Sequence, residues 1–353
     1  MMQEANMQPV MRKPGQRMIR TRFFSARVNV HVLIFAVITL AVLAILATWA
    51  MTLGSYRIPF ADVGRALIGD GSPDQEFIVR TLRLPRVISA IFIGAALAMS
   101  GAIFQGLVRN ALVSPDIIGI ETGATLLAVF WIVTGQSSAL LPLAAFFGAI
   151  ITAVIIYLLS WKGGISPNRM ILVGIGIGAT LSALTTFLTV RYPIELVRPA
   201  VVWQMGSLYG SNWNEVKILA ISVSLLAPAA IILTWPLRTM QLGDDVTRGL
   251  GLSLERTRLG LIAVGCGLCA VATAMAGPIG FVALMVPHAA RMIAGPLSGS
   301  VMLFSAVLGG CFLLMADIVG QHLLPVPLPT GVVTAAVGAP YFLFLLYRFN
   351  TRM

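Results

Sequence analysis

The stretch from Val87 to Leu107 decides the fold and reads VISAIFIGAALAMSGAIFQGL. It carries no charged residue, and about 20 apolar residues in an α-helix suffice to cross the hydrocarbon core of a bilayer. Small residues recur along it, including Gly94, Gly101 and Gly106. Such residues let helix backbones approach closely inside a membrane. The stretch therefore predicts a transmembrane helix that packs tightly against its neighbours.

Similar apolar runs recur along the whole chain, and together they predict an all-α polytopic membrane protein with ten transmembrane helices. A basic tail at 1–30 precedes a transmembrane domain at 31–353. The break at Gly277-Pro278 separates two of the spans, and their fusion would reduce the count to nine. The predicted spans are 31–53, 87–107, 117–134, 141–160, 170–190, 215–236, 259–276, 279–294, 300–320 and 331–347.

Composition excludes a water-soluble body. Of the 353 residues, 58% are hydrophobic and 10% are charged, and the mean hydropathy is +0.92. Soluble proteins carry about 25% charged residues. With so few charges, a chain of this size lacks the polar surface that water requires.

The net charge of +11 reflects membrane orientation and contact with lipid, not nucleic-acid binding, because the charges lie between apolar runs. Lys and Arg are enriched in cytoplasmic segments, and the tail and most even-numbered connections are basic, so both termini are predicted to be cytoplasmic. One outer segment breaks the rule, since it contains five arginines against four acids. The five are Arg57, Arg65, Arg80, Arg83 and Arg86.

Residues for catalysis, metal binding or nucleotide binding are not evident in the sequence. There is no Walker A loop. Cys266 and Cys269 lie in an apolar run with no second pair, which favours packing over a metal or redox site. We therefore predict no catalytic residue, no metal and no cofactor. Glu121, Asp317 and His288 are ionisable residues near ends of the predicted spans, and His288 is interpreted as structural.

Two arginines flank a proline directly before the second span, in Arg83-Leu84-Pro85-Arg86. Such a pair can extend to lipid headgroups. Two guanidinium groups held by a proline-stiffened turn also suit bidentate binding of carboxylates on a partner protein.

The longest inner connection, about 238–258, contains the sequence MQLGDDVTRGLGLS from Met240 to Ser253. Asp244 and Asp245 favour the start of a helix, and Gly249 or Gly251 favours its end. We predict a short, rigid surface helix, the kind of element through which a membrane domain can receive motion from a soluble motor.

These segments resemble the FecCD family of permeases, which import iron–siderophores, haem and vitamin B12, over nearly the whole chain from about residue 31. Single motifs are weak, but all occur in order and at the right spacing. They are RLPR at 83–86, SGAIFQ at 100–105, RN at 109–110, SPD at 114–116, GDD at 243–245, GLG at 249–251, AGPIGF at 276–281, PH at 287–288, AD at 316–317, LPTG at 328–331 and GAPY at 338–341. Within the family the chain looks most like a ferric enterobactin-type permease subunit.

The resemblance implies a type II ABC importer permease fold in the bacterial inner membrane. It implies two permease subunits around a central path, a cytoplasmic ATPase dimer and a periplasmic siderophore-binding protein. The cargo implied is a ferric siderophore of the catecholate class, and enterobactin-type systems favour two related permease chains over two copies of one.

The resemblance also implies roles for particular residues. Arg83 and Arg86 meet acidic residues of the binding protein, and Asn110 and Leu112 fall at the cytoplasmic gate. The matching ATPase-coupling residues are Gly243, Asp244, Asp245, Arg248, Gly249 and Gly251. Two positions depart from the family pattern: a second gate position is Pro167-Asn168 where the B12 branch has small hydroxyl residues, and Pro327 replaces a frequent Glu.

Other functions stay open at this point. A vitamin B12 or haem permease of the same family is one alternative. A proton-coupled secondary transporter is another, and it would need an intramembrane carboxylate, for which Asp317 is the candidate. An intramembrane enzyme is the third.

Overall fold

A computed structural model describes residues 16–20, 25–323 and 325–350. Two short strands, β1 (Gln16–Arg20) and β2 (Ser25–Asn29), pair antiparallel with Gln16 opposite Asn29. Residues 1–15 and 21–24 of the predicted basic tail, and Arg352, lie outside the described residues. From β2 onward the described chain is built of helices.

Fourteen α-helices follow in the described residues, with a π-helical turn before α4 (Phe77–Arg83), another after α13 (Val319–Leu323) and a 3₁₀ turn before α6 (Ser138–Leu140). The helices are α1 (Val30–Thr52), α2 (Phe60–Ile68), α3 (Pro73–Glu76), α4 (Leu84–Val108), α5 (Ile120–Val133), α6 (Leu141–Ser160), α7 (Pro167–Arg191), α8 (Ile194–Gln204), α9 (Trp213–Met240), α10 (Asp244–Gly249), α11 (Leu254–Ala276), α12 (Val282–Ala294), α13 (Gly299–Ile318) and α14 (Thr330–Asn350).

Each of the ten predicted spans corresponds to one helix. By length and composition, eight helical segments of the described chain can cross a membrane, and α5 and α12 are shorter apolar helices. Gly277 does separate α11 from α12, because its φ of +73° ends the helical path there. The short surface helix expected in the 238–258 connection is also confirmed as α10.

Two polar connections contain helices that the sequence did not predict. Segment 54–86 holds α2, α3 and a π-helical turn, and segment 191–214 holds α8. These helices are too short or too polar to register as spans. α2 buries Val63 and Ala66 and packs the partly buried Leu67 against the core.

The predicted proline-stiffened turn at 83–86 is wrong. The helical path continues from Pro73 through Val108, and Pro85 lies in the first turn of α4. Pro85 lacks the N–H that would bond to the preceding turn. That turn is π-helical, from Phe77 to Arg83, and its Arg80 carbonyl accepts from Trp213 Nε1 at 2.9 Å instead.

The core forms where α4 crosses α11, α12 and α13. In the 18-residue apolar stretch of each helix, the share of buried residues is 78% for α4, 72% for α13 and 67% for α11. The share is only 17% for α1 and for α7. Glycines permit the closest crossings: a Cβ at Gly94 would overlap the backbone of Gly309, and one at Gly101 would overlap the carbonyl of Ala283. α4 is therefore the central helix, and α1 and α7 keep broad apolar faces uncovered.

Contacts between loops divide the molecule into two ends, as the predicted alternation of spans requires. At one end the 109–119, 161–166 and 241–253 connections meet. At the other end the segments around residues 51–56, 80–86, 205–213 and 317–331 meet. These are called below the inner end and the outer end, following the orientation that the basic residues predict.

Candidate functional site

Asp244, the first residue of α10, is the centre of the polar network at the inner end. Its Oδ2 accepts a hydrogen bond from Arg258 Nη2 at 2.8 Å, and its Oδ1 accepts one from Arg109 Nη2 at 3.2 Å. Arg258 belongs to α11 and Arg109 follows α4. One carboxylate therefore links the start of the surface helix to two membrane helices.

The Arg258 side chain is nearly buried, with 8% of its surface exposed. Its Nη1 donates to the carbonyl of Ile165 at 2.7 Å and lies 3.4 Å from Glu255 Oε1. The other Glu255 oxygen accepts from the Ile165 backbone N–H at 3.2 Å. Both backbone polar groups of Ile165, in the connection between α6 and α7, are thus hydrogen-bonded to side chains of α11.

Arg109 ends α4 in a left-handed conformation, with φ of 58° and ψ of 31°, which costs a residue with a Cβ about 1 kcal/mol. Its guanidinium also donates to the carbonyl of Met240 at the end of α9. Directly after it, Asn110 Oδ1 accepts from the backbone N–H of Leu112 at 2.9 Å. The predicted gate residues therefore form a tight turn whose first residue is anchored to the α9–α10 connection.

Burial changes the ionisation of Asp116, which lies in the same 109–119 connection. Its Oδ1 is buried and accepts no hydrogen bond within the described residues. Loss of solvation raises the pKa of this carboxyl above its ordinary value.

α10 and the residues flanking it present an apolar stripe away from the bundle. Leu242 before the helix, Val246 within it and Leu250 after it are exposed by 69%, 47% and 64%. Thr247 is fully buried, and its hydroxyl lies 3.2 Å from the carbonyl of Thr239 in α9 and 2.7 Å from that of Gly243. The Thr247 side chain thus fixes α10 to α9, while apolar side chains of the same segment stay exposed. Asp245, Arg248 and Gly249 are exposed beside that stripe.

A bidentate ion pair joins α4 to α13 at the outer end. Arg86 Nε and Nη2 donate to Asp317 Oδ2 and Oδ1 at 2.8 and 2.9 Å. Asp317 Oδ1 also accepts from Thr330 Oγ1, the first residue of α14, at 2.7 Å. The side chains of Arg86 and Asp317 are 17% and 8% exposed. Three helices are therefore joined through one carboxylate.

Arg83 lies one turn earlier and ties this region to the end of α1. Its two terminal nitrogens donate to the carbonyls of Met51 and Tyr56 at 2.6 and 2.5 Å. Both arginines line a cleft of about 570 Å³ together with Tyr209 and His322. The outer arginines are therefore held in place by internal contacts and also border open space.

The sequence placed Arg83 beside Arg86, and Asp244 beside Asp245, but it missed the partners of these residues. Asp317 is 231 positions from Arg86, and Arg258 is 14 positions from Asp244 in a different helix. The available signal for Arg258 was Glu255 three residues earlier, at the spacing of a helical ion pair.

The ten apolar helices of the described residues, eight of them long enough to cross a membrane, and the surface helix at one end define a polytopic helical membrane protein. The chain belongs to the FecCD transport family, whose family model matches residues 40–348. Siderophore transport system permease protein YfhA of Bacillus subtilis is 42% identical over 84% of this chain and 89% of its own length. Ferric enterobactin transport system permease protein FepG of Escherichia coli is 39% identical over 91% of this chain and 98% of its own.

A solved structure has the same fold. It is an inward-facing conformation of a metal-chelate type ABC transporter, with a TM-score of 0.82 and 29% identity, covering 90% of this chain and 99% of that chain. The predicted type II importer permease fold is therefore confirmed.

Proposed function

We propose that this chain is the membrane-spanning permease subunit of an ABC importer that moves ferric siderophores, of the catecholate class, across the bacterial inner membrane. Family membership, the likeness to FepG and the fold of a metal-chelate transporter support the class of cargo. ATP hydrolysis occurs on a separate ATPase dimer, and a second permease subunit completes the path.

The surface helix α10 is the observation that carries the proposed coupling to an ATPase. Its exposed stripe of Leu242, Val246 and Leu250 is rimmed by Asp245 and Arg248. Apolar side chains surrounded by charges are typical of a protein interface. Because Asp244 binds Arg258 of α11 and Thr247 binds the carbonyl of Thr239 in α9, a force on the stripe can reach the membrane helices. This arrangement supports the proposed coupling role of Gly243, Asp244, Asp245, Arg248, Gly249 and Gly251.

Arg83 and Arg86 are proposed to receive acidic residues of the periplasmic binding protein. A guanidinium has five N–H donors. The internal contacts use Nη1 and Nη2 of Arg83, and Nε and Nη2 of Arg86. Donors that remain border the outer cleft. Their internal bonds hold the side chains in position, which lowers the entropic cost of docking.

Asn110 and Leu112 are proposed to narrow the inner end of the path. Their turn lies against the α9–α10 connection through Arg109, so it can follow motion of the coupling helix. Pro167-Asn168 falls at the second gate position of the family without the small hydroxyl residues of the B12 branch. Asn168 is exposed in the first turn of α7, three residues after the anchored Ile165.

The contacts of Asp317 argue against a proton-coupled secondary transporter. A carboxylate that carries protons must exchange them during each cycle. Both Asp317 oxygens accept charge-assisted hydrogen bonds from Arg86, and one also binds Thr330. These bonds hold the Asp317 carboxylate to α4 and α14, so a structural role fits Asp317 better.

Uptake in cells with and without the gene tests the proposal. The probes are radioactive iron bound to enterobactin, to a hydroxamate siderophore and to citrate, beside labelled cobalamin. Loss of the ferric enterobactin signal alone is expected. Loss of cobalamin uptake would keep the family and change the cargo, and unchanged uptake of every probe would contradict the proposal.

A further inference from the structure

We propose that Asp244 is a positioning residue that connects the coupling helix to both gate positions through two separate arms. This inference rests on the proposed function, since it assigns the route by which an ATPase acts on the gates. One arm runs through Arg109 to Asn110 and Leu112. The other runs through Arg258 and Ile165 to Pro167 and Asn168.

The first arm connects Asp244 to the turn after α4. Arg109 binds Asp244 Oδ1 and the carbonyl of Met240, and its left-handed backbone makes its orientation dependent on those anchors. Asn110 follows directly in the chain, and its side chain caps the N–H of Leu112. A shift of α10 therefore alters the turn that carries this gate.

The second arm connects Asp244 to the start of α7. Arg258 binds Asp244 Oδ2 and the carbonyl of Ile165, while Glu255 binds the N–H of the same residue. Ile165 lies two residues before Pro167, the first residue of α7. A shift of Asp244 therefore acts on the backbone that leads into α7.

The two arms differ in stiffness because they differ in burial. The side chain of Arg258 is 8% exposed and its bond to Asp244 is 2.8 Å long. The side chain of Arg109 is 46% exposed and its bond is 3.2 Å long. Water screens an exposed pair, so such pairs contribute little to stability. The Arg258 arm is therefore the stiffer of the two, and both arms follow α10.

Thiol labelling in the complete transporter tests this inference. Asn110→Cys and Asn168→Cys are introduced separately, and both positions are exposed. The native Cys266, Cys269 and Cys311 are buried, which limits background labelling. The rate of maleimide labelling is measured without nucleotide and with ATP bound to a hydrolysis-deficient ATPase. We expect the rates to differ by about tenfold at each position, within the usual range of coupling between sites.

Arg109→Gln and Asp244→Asn then distinguish the arms. Arg109→Gln is expected to remove the nucleotide response at position 110 and to keep it at position 168. Asp244→Asn is expected to remove both responses while the ATPase still co-purifies. Asp70→Asn, which alters an exposed carboxylate in the outer 54–86 segment, is the control and keeps both responses.

Three results would overturn the inference. They are normal responses in Asp244→Asn, loss of ATPase binding in that variant, and loss of both responses in Arg109→Gln. If the Asn110→Cys and Asn168→Cys variants, with no further substitution, both label at the same rate with and without nucleotide, the proposed function itself is contradicted.

Discussion

Removing one partner of the Arg86–Asp317 pair is expected to destabilise the protein far more than removing an exposed arginine. Breaking a buried ion pair costs about 3–5 kcal/mol, because the remaining charge loses its partner. Arg86→Ala falls near the lower value, about 3 kcal/mol, since the pair borders the outer cleft. Asp317→Ala also removes the bond from Thr330, which adds about 1 kcal/mol and brings the total to about 4 kcal/mol.

A double-mutant cycle isolates the interaction. If the two residues acted independently, the double variant Arg86→Ala with Asp317→Ala would lose about 7 kcal/mol, but removal of both charges is expected to cost only about 4 kcal/mol. The coupling free energy is therefore about 3 kcal/mol. The measurement is the free energy of unfolding of the purified chain in detergent micelles, titrated with SDS and followed by circular dichroism.

The matched control for this cycle is Arg65→Ala. The Arg65 side chain is 65% exposed and lies 3.8 Å from Asp62, so its loss changes the free energy of unfolding by no more than about 0.5 kcal/mol. Additivity of the two single variants within about 0.5 kcal/mol would refute the assigned pair. Abolished uptake with unchanged stability in Asp317→Asn would revive the proton-carrier reading.

Three further variants, two of them with a control variant, test other parts of the molecule. Gly101→Ala pushes a Cβ into a carbonyl of α12 and is expected to lower the free energy of unfolding by about 1–3 kcal/mol. Its control is Gly176→Ala, whose Cβ meets open space. That change is expected to raise the free energy of unfolding by up to about 1 kcal/mol. Burial raises the pKa of Asp116 above its ordinary value of 3.8. The contribution of this group to the free energy of unfolding therefore falls as pH rises from that value through the raised pKa of the folded protein. Asp116→Asn should flatten this pH dependence in unfolding titrations from about pH 4 to 8. Val246→Glu places a charge on the exposed stripe of α10 and should abolish co-purification of the ATPase, while Tyr209→Glu, 86% exposed at the outer end, should leave it intact; equal retention in both would contradict the docking role of α10.

The sequence predicted the helical spans well because the bilayer imposes one strong requirement, a long apolar run, on each of them. α6 begins and ends at the predicted residues, 141 and 160. α10 was predicted from local chemistry alone, since two acids and the glycines after them define a short helix without any tertiary contact. Both kinds of signal are contained within a few neighbouring residues.

Features that depend on distant residues could not be predicted. The helix α8 lies in a polar stretch, and only packing of Val197 and Ala200 against Val129 and Val133 of α5 accounts for it. Arg86 and Asp317 were both singled out, but with separate roles, since nothing in the local sequence joins residues 231 positions apart. Docking at Arg83 and Arg86, gating at Asn110 and Leu112, and coupling at α10 stay predictions.

Uptake by proteoliposomes that contain the complete transporter tests the central claim most directly. The chain is reconstituted with its second permease subunit and its ATPase, the binding protein is loaded with radioactive ferric enterobactin, and the accumulated iron is measured with and without ATP. The account predicts accumulation that requires ATP, the binding protein and this chain, and that is unaffected by collapse of a proton gradient. Accumulation driven by a proton gradient without ATP would contradict it.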